Sequence, residues 1–311
     1  MTEKLISVIV PVFNEQEVLP VSYQRFTSAL RDIGYPYEII YVDDGSRDGT
    51  VDVLRGIARA DERVRVLSFS RNFGHQLAVT AGMDTAGGDA VIIIDADLQD
   101  PPELIQNMVA MWEDGAQIVY GKRVKRKGET IFKKFTAWAY YRLLNAMSTY
   151  PIPLDSGDFR LIDRVVADLF LEMRESNRFL RGMSAWMGFK DVPLEYTRAG
   201  REAGQTKYTF KKMLKLAFDG ICGFSSRPLT LPGWLGVALC ALAGLGLVTL
   251  IVLAIISAAP PWLWAVDGIL FIQGVTLIAL GVQGAYMGRM LDEVKRRPLY
   301  IIKERFGKGE Y

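Results

Sequence analysis

Apolar residues in the first part of the chain come in short blocks separated by longer amphipathic stretches. Ile6-Ser7-Val8-Ile9-Val10-Pro11, Tyr37 to Val42, Val64 to Phe69, Val91 to Ile94 and Ile118-Val119-Tyr120 are rich in β-branched and aromatic residues and bounded by turn signals. Each predicts a strand. Between them, helical patterns run from Asn14 to about Ile33, Asp48 to Ala60, His75 to about Ala86 and Pro102 to Trp112. Strands alternating with helices of this length predict βαβ units and an α/β fold with a mostly parallel sheet. Further on, the stretch from Asp155 to Leu161 is read as a short polar turn opening another strand, and Val192 to Tyr196 as one more strand.

Beyond the fifth strand the pattern changes. Lys122-Arg123-Val124-Lys125-Arg126-Lys127 and Lys133-Lys134 lead into a stretch with Phe135, Trp138, Tyr141, Leu144 and Met147 at helical spacing. A basic segment before an aromatic-rich helix fits a helix lying on an anionic membrane face, and equally an amphipathic helix packed on the sheet. A glycine-rich basic loop, Arg198 to Tyr208, precedes a second basic amphipathic helix, Thr209 to Cys222.

No charged residue occurs from Thr230 to Ser257 or from Gly268 to Gly288. A bilayer-spanning helix needs about 20 apolar residues, so both runs are long enough. The link between them carries Pro260-Pro261, Trp262 and Trp264 and no Lys or Arg, whereas Arg289, Lys295, Arg296, Arg297, Lys303, Arg305 and Lys308 follow the second run. The positive-inside rule then puts both termini in the cytoplasm. The expected organisation is a cytoplasmic catalytic domain, 1–228, with membrane-surface helices near 130–148 and 209–222. A transmembrane hairpin follows over 229–291 (spans about 230–257 and 267–289), then a basic cytoplasmic tail, 292–311. The chain is expected in the inner or plasma membrane.

Composition adds mainly exclusions. The chain has 311 residues, half of them hydrophobic, and a net charge of +2, so overall charge does not point to a partner. Cys222 and Cys240 lie in apolar surroundings without metal-ligand spacing. The start enters a strand pattern directly, with no signal-peptide pattern. Neither G-x-G-x-x-G nor G-x-x-x-x-G-K-[ST] occurs, against a dinucleotide dehydrogenase and a P-loop NTPase. No nucleic-acid-binding module accompanies the basic run.

The polar clusters Asn14-Glu15, Asp43-Asp44, Arg71-Asn72 and Asp95 to Gln99 all fall at the carboxyl ends of the expected strands, where open α/β sheets bind ligands. Asp95 and Asp97, one residue apart, repel each other unless a cation intervenes. A hard divalent ion, Mg²⁺ or Mn²⁺, takes oxygen from one or two carboxylates and completes its shell with phosphate oxygens. His75, the single histidine, stands at a helix start and is read as structural.

Val10-Pro11-Val12-Phe13-Asn14-Glu15, Val42-Asp43-Asp44-Gly45-Ser46, Asp95-Ala96-Asp97-Leu98-Gln99, Gly157-Asp158-Phe159-Arg160 and Gly204-Gln205-Thr206-Lys207-Tyr208 occur in this order. The set closely resembles glycosyltransferase family 2, and within it the polyprenyl-phosphate glycosyltransferases of the bactoprenol type, over residues 5 to about 225. The resemblance implies a nucleotide-sugar-binding (GT-A type) fold. It implies a nucleoside pocket lined by Pro11, Phe13, Glu15, Val42 and Asp44, with Asp95, Ala96 and Asp97 completing the donor site. Asp95, Asp97 and Gln99 would surround Mg²⁺ or Mn²⁺, and Arg123, Arg201 and Lys207 would gather phosphate charge. Asp158 would be the catalytic carboxylate, with Asp97 beside it. The implied reaction is attack by a polyprenyl (undecaprenyl) phosphate oxygen on the anomeric carbon of a nucleotide sugar, with inversion. UDP-glucose is the favoured donor; transfer of mannose from GDP-mannose or of a modified arabinose is the alternative, and a non-catalytic membrane scaffold the rival of another class. A processive polysaccharide synthase is disfavoured, because no Q-x-x-R-W motif occurs. The small residues in the spans leave self-association open.

Overall fold

The computed structural model describes residues 4–125, 156–197 and 261–307. The chain divides into two compact units, one of Met1–Tyr141, Tyr150–Phe210 and Pro298–Tyr311, the other of Arg142–Thr149 and Lys211–Arg297. The expected domain boundary near residue 228 lies outside the described residues.

The first unit is built on an eight-stranded sheet. In chain order its strands are β1 (Ile6–Val12), β2 (Tyr37–Asp43), β3 (Val64–Phe69), β4 (Ala90–Ile93), β5 (Ile118–Lys125), β6 (Ser156–Asp163), β7 (Asp191–Thr197) and β8 (Ile302–Gly307). Across the sheet they lie in the order β7-β5-β6-β4-β1-β2-β3-β8. Four of the seven pairings are parallel, and β4–β6, β5–β6 and β3–β8 are antiparallel. The helices are α1 (Leu19–Arg31), α2 (Thr50–Ala60), α3 (His75–Thr85), α4 (Ile105–Glu113), α5 (Arg164–Glu172) and α6 (Leu180–Met187). This is the expected α/β sheet of the GT-A type.

All seven residues of β1 are buried, as expected of a central strand covered on both faces. Pro11 is tolerated there for a geometric reason. Its pairing partner on one side is Val42 of β2, while β4 stops pairing at Ile9, so no ladder on the other side needs the N–H that proline lacks.

The predicted strands agree closely with the observed ones, and β3 has the predicted ends. Three elements differ. The first helix starts at Leu19 and not at Asn14, because Asn14 has φ of +54° and the segment after it is tied to the next loop. The polar stretch after Asp155 is strand from Ser156 onward, not a turn, because it runs antiparallel to both β4 and β5. The basic tail contains β8, which pairs with β3; Glu304 is held by Arg55 at 3.0 Å and the Arg55 guanidinium lies over the Phe306 ring. The helix over Arg164–Glu172 was not anticipated.

In the second unit, α7 (Pro261–Lys295) is a 35-residue helix that contains the second expected span, 267–289. Trp262, Ile269, Ile272, Leu280, Met287 and Met290 are exposed on it. Among the described residues no helix is long and apolar enough to cross a membrane. The first expected span and the expected surface helices near 130–148 and 209–222 lie outside the described residues.

Candidate active site

The ends of β1 and β2 are joined by a set of hydrogen bonds between their loops. Asn14 N–H donates to Ser46 Oγ (2.9 Å), Glu15 N–H to Thr50 Oγ1 (2.9 Å), Arg47 N–H to Asn14 Oδ1 (2.8 Å) and Gly49 N–H to Gln16 Oε1 (2.7 Å). Pro11 and Val42 are buried side by side beneath this corner, and Phe13 and Glu15 are half-buried above it.

Asp43 and Asp44 are both recessed, at 0% and 4% exposure, yet they serve different neighbours. Asp43 accepts from the Ser46 N–H (3.0 Å) and the Ser68 hydroxyl (2.8 Å). Asp44 accepts from the Phe73 N–H (2.7 Å) and, through both oxygens, from the Gly74 N–H (3.1 and 2.9 Å). Burial raises the Asp44 pKa, and these amide bonds offset part of the rise. Gly45 makes the close approach feasible: at φ +70°, a Cβ there would lie 2.4 Å from the Arg71 carbonyl carbon. Asp44 thus cross-links its own turn to the loop that leads into α3.

The carboxyl end of β4 forms the other half of the site. Asp95 and Asp97 are half-exposed on either side of buried Ala96; Leu98 turns the chain at φ +56°, and Gln99 and Asp100 are buried. Asp97 Oδ1 accepts from the Gln99 N–H (3.1 Å), and Asp100 Oδ1 accepts from the Tyr196 hydroxyl. These contacts fix the loop backbone around the two carboxylates.

β6 brings Asp158 to this point. It runs antiparallel to β4 with Ile93 opposite Arg160, so extending that register by two places puts Asp158 level with Asp95. His75 sits between them. Its Nε2 lies 2.9 Å from Asp95 Oδ1 and its Nδ1 lies 4.0 Å from Asp158 Oδ2. A carboxylate only accepts, so Nε2 carries the proton of that bond. Arg181, on α6, donates from Nε to Asp158 Oδ1 at 2.9 Å. Arg160 is 3% exposed and donates to Ser184 Oγ and the Gly157 carbonyl, both at 3.2 Å.

The electrostatics follow from these neighbours. Burial opposes ionisation of Asp158, but the charges of Arg181 and His75 and the Arg181 hydrogen bond hold it well below the usual carboxylate range. Burial opposes protonation of His75, yet the bond and charge of Asp95, with Asp158 behind, raise it to about 9. Burial lowers Arg160 to about 10, and Asp158 opposes that shift.

The oxygen chemistry of Asp95 and Asp97 suits a hard divalent cation, with the remaining positions left to a ligand's phosphate oxygens. Among the described residues, no group of three or more His, Cys, Asp or Glu side chains gathers to hold a metal. Pro11, Phe13, Glu15, Val42, Asp44, Asp95, Ala96, Asp97, Gln99 and Asp158 therefore all lie at the carboxyl end of one sheet. Arg123 is on β5, and Arg201 and Lys207 lie outside the described residues.

Sequence reasoning passed over three of the charged groups here. His75 was read as structural, Arg160 stood in a noted motif without a role, and Arg181 was not singled out. The one available signal was the position of His75 directly after Gly74, whose φ of +107° turns the chain into α3 at a strand's carboxyl end.

Comparison with known proteins gives a consistent set of relatives. A family model described as Glycosyl transferase family 2 matches residues 7–170. An uncharacterized glycosyltransferase of Bacillus subtilis (strain 168), YkcC, is 46% identical over 303 residues, 97% of this chain and 94% of the relative. The SfII prophage-derived bactoprenol glucosyl transferase of Shigella flexneri is 41% identical over 303 residues, 96% of this chain and 97% of that one. The prophage bactoprenol glucosyl transferase homolog of Escherichia coli (strain K12) is 40% identical over 300 residues, 96% of this chain and 98% of that one.

Proposed function

The chain belongs to glycosyl transferase family 2 and is a glycosyltransferase, and on that premise we propose that it transfers glucose from UDP-glucose to undecaprenyl phosphate. The observation that carries the reaction is the convergence of Asp95 and Asp158 on one imidazole at the carboxyl end of the sheet. Likeness over nearly the whole chain to proteins named bactoprenol glucosyl transferases supports the sugar and the lipid acceptor.

In this reading a phosphate oxygen of the lipid attacks the anomeric carbon, the bond from that carbon to the diphosphate oxygen breaks, and UDP leaves. Asp95 and Asp97 would hold Mg²⁺ or Mn²⁺, which supplies charge neutralisation for the diphosphate. Pro11, Phe13, Glu15, Val42 and Asp44 form the wall for the nucleoside, on a corner that Asp43 and Asp44 also keep rigid. Asp158 stays ionised beside Arg181, so it is a weak base. The acceptor needs none, because a phosphate monoester with a second pKa near about 6 is largely a dianion at neutral pH. Asp158 instead stabilises positive charge developing at the anomeric centre and fixes Arg181 for phosphate.

We also propose that the chain is anchored in the inner or plasma membrane by two spans, with its catalytic unit and both termini in the cytoplasm. The pairing of β8 with β3 supports this, since the segment after α7 belongs to the same sheet as β1. Any crossings between β7 and β8 are therefore even in number. The second span itself rests on the uncharged run of the sequence, 268–288, which is long enough for a bilayer.

The test is direct. Purified protein incubated with radiolabelled UDP-glucose, undecaprenyl phosphate and Mg²⁺ yields labelled lipid. Absence of labelled lipid with UDP-glucose while another sugar nucleotide gives product overturns the donor; absence with every UDP- and GDP-sugar overturns the acceptor reading as well.

A further inference from the structure

We propose that His75 is a positioning residue, whose imidazole spans Asp95 and Asp158 and fixes the separation of the donor-side and acceptor-side carboxylates. The inference deepens the reading above and rests on it for the two roles, but the bridge itself rests on geometry. Asp95 and Asp158 come from different strands and are brought level by the β4–β6 register. Two carboxylates so placed repel, and each can relax by swinging toward a cation elsewhere. His75 removes that freedom on the Asp95 side with a 2.9 Å hydrogen bond, and presents its other nitrogen to Asp158 at 4.0 Å.

The imidazole is itself held. It occupies the first residue of α3, where the preceding Gly74 is bonded through its N–H to Asp44. Gln76, the next residue, lies with its Nε2 3.5 Å from His75 Nδ1, and its Oε1 accepts from the Leu180 N–H at 3.0 Å. Leu180 precedes Arg181, the residue that grips Asp158 from the other side. The starts of α3 and α6 are thus stitched together across the carboxylate pair, and the single imidazole closes the chain Asp95–His75–Asp158–Arg181. A histidine that only filled space would need neither nitrogen aimed at a carboxylate.

Because the chain contains one histidine, selective ¹⁵N-histidine labelling gives a single imidazole, observable without metal or substrate. The bridge predicts a hydrogen-bonded Nε2–H resonance in the metal-free protein that shifts in Asp95→Asn, and an Nδ1 resonance that shifts in Asp158→Asn. An imidazole insensitive to both substitutions overturns the proposal. Kinetically, His75→Phe lowers kcat about 10–100-fold, the range for groups that orient metal-site ligands. The KM for UDP-glucose and the melting temperature stay near the wild-type values, and His75→Gln, whose amide reaches Asp95, recovers most of kcat. A kcat within about 2-fold of wild type in His75→Phe overturns the positioning role. If His75→Phe does not fold, the kinetics of His75→Gln and the labelled imidazole still decide. Wild-type protein that makes no labelled lipid would remove the proposed donor and acceptor, while the imidazole spectrum would continue to test the bridge.

Discussion

Asp44 and Asp158 are both recessed carboxylates at the carboxyl end of one sheet, and their surroundings push them in opposite directions. Asp44 is held by backbone N–H groups of Phe73 and Gly74, and burial raises its pKa. Asp158 is held by Arg181 and faced by His75 and Arg160, and its pKa is depressed. Amide dipoles do not fully replace lost hydration, so Asp44 functions as a rigid cross-link between loops. Cations over-compensate for it, so Asp158 carries a firmly fixed negative charge, which the proposed reaction would use at its centre. Carboxylates of the same type at one end of the sheet thus differ in how firmly they hold their charge according to what donates to them, and in the proposed reaction that difference separates scaffold from chemistry.

The largest effect expected from breaking this contrast is in Asp158→Asn. Removal of one preorganised charge facing a transition state costs about 10²–10³-fold in rate. We expect that loss in kcat, with UDP-glucose binding by thermal shift preserved; near-normal turnover would refute a role in the chemistry. The stability of the variant adds a sign. A depressed carboxylate contributes stability above its ordinary pKa of 3.8 and loses it as pH falls through its lower folded value. The deficit of Asp158→Asn relative to wild type should therefore shrink on acidification below that ordinary value.

Asp44→Asn should act on stability first. The amide keeps one acceptor for Phe73 but turns N–H toward the Gly74 N–H, leaving a buried donor unsatisfied at about 1–3 kcal/mol. The sign of the pH dependence is reversed. The Asp44 pKa is raised, so wild type is favoured below 3.8 and loses that advantage as pH rises through the folded value. The deficit of Asp44→Asn should therefore grow as pH falls from neutral toward 3.8. Urea unfolding across that range would separate the two carboxylates; slopes of the same sign would dissolve the distinction between them.

The division was only half legible in the sequence. β3 could be read from Val64 to Phe69 because its apolar, β-branched run carries the signal locally. The placing of Asp44, Asp95 and Asp97 at strand ends followed from the same alternation. What donates to each carboxylate did not, because it depends on register between distant segments. That Asp158 lies level with Asp95 comes from the β4–β6 pairing, and nothing within either segment encodes the offset. β8 was hidden differently. Lys303 and Arg305 point outward and Ile302, Glu304 and Phe306 inward, a period-two pattern that reads as a basic tail when only charge is counted.

The smallest predicted effect concerns Asp84, a carboxylate that combines the two kinds of support. Its Oδ2 accepts from the Arg174 guanidinium at 2.8 Å and from the Tyr300 hydroxyl, just before β8, while the Tyr300 ring stacks on Phe69 with centroids 5.2 Å apart. Burial, with Asp84 beside it, raises the Tyr300 pKa, so the hydroxyl remains a donor at neutral pH. Tyr300→Phe keeps the stack and the Arg174 ion pair and removes one hydrogen bond from a neutral donor to a carboxylate, worth about 1.5 kcal/mol, the low end of the range for a charged acceptor, because Arg174 still holds it. We expect a small fall in the stability of the first unit, read by urea unfolding, and no change in kcat, since Asp84 lies outside the Asp95–His75–Asp158 chain. If neutral donors supply only rigidity, as the comparison with Asp44 implies, that separation should hold. A large loss of kcat in Tyr300→Phe at unchanged stability would mean that the returning strand reaches the chemistry, and that support by neutral donors is not confined to scaffold.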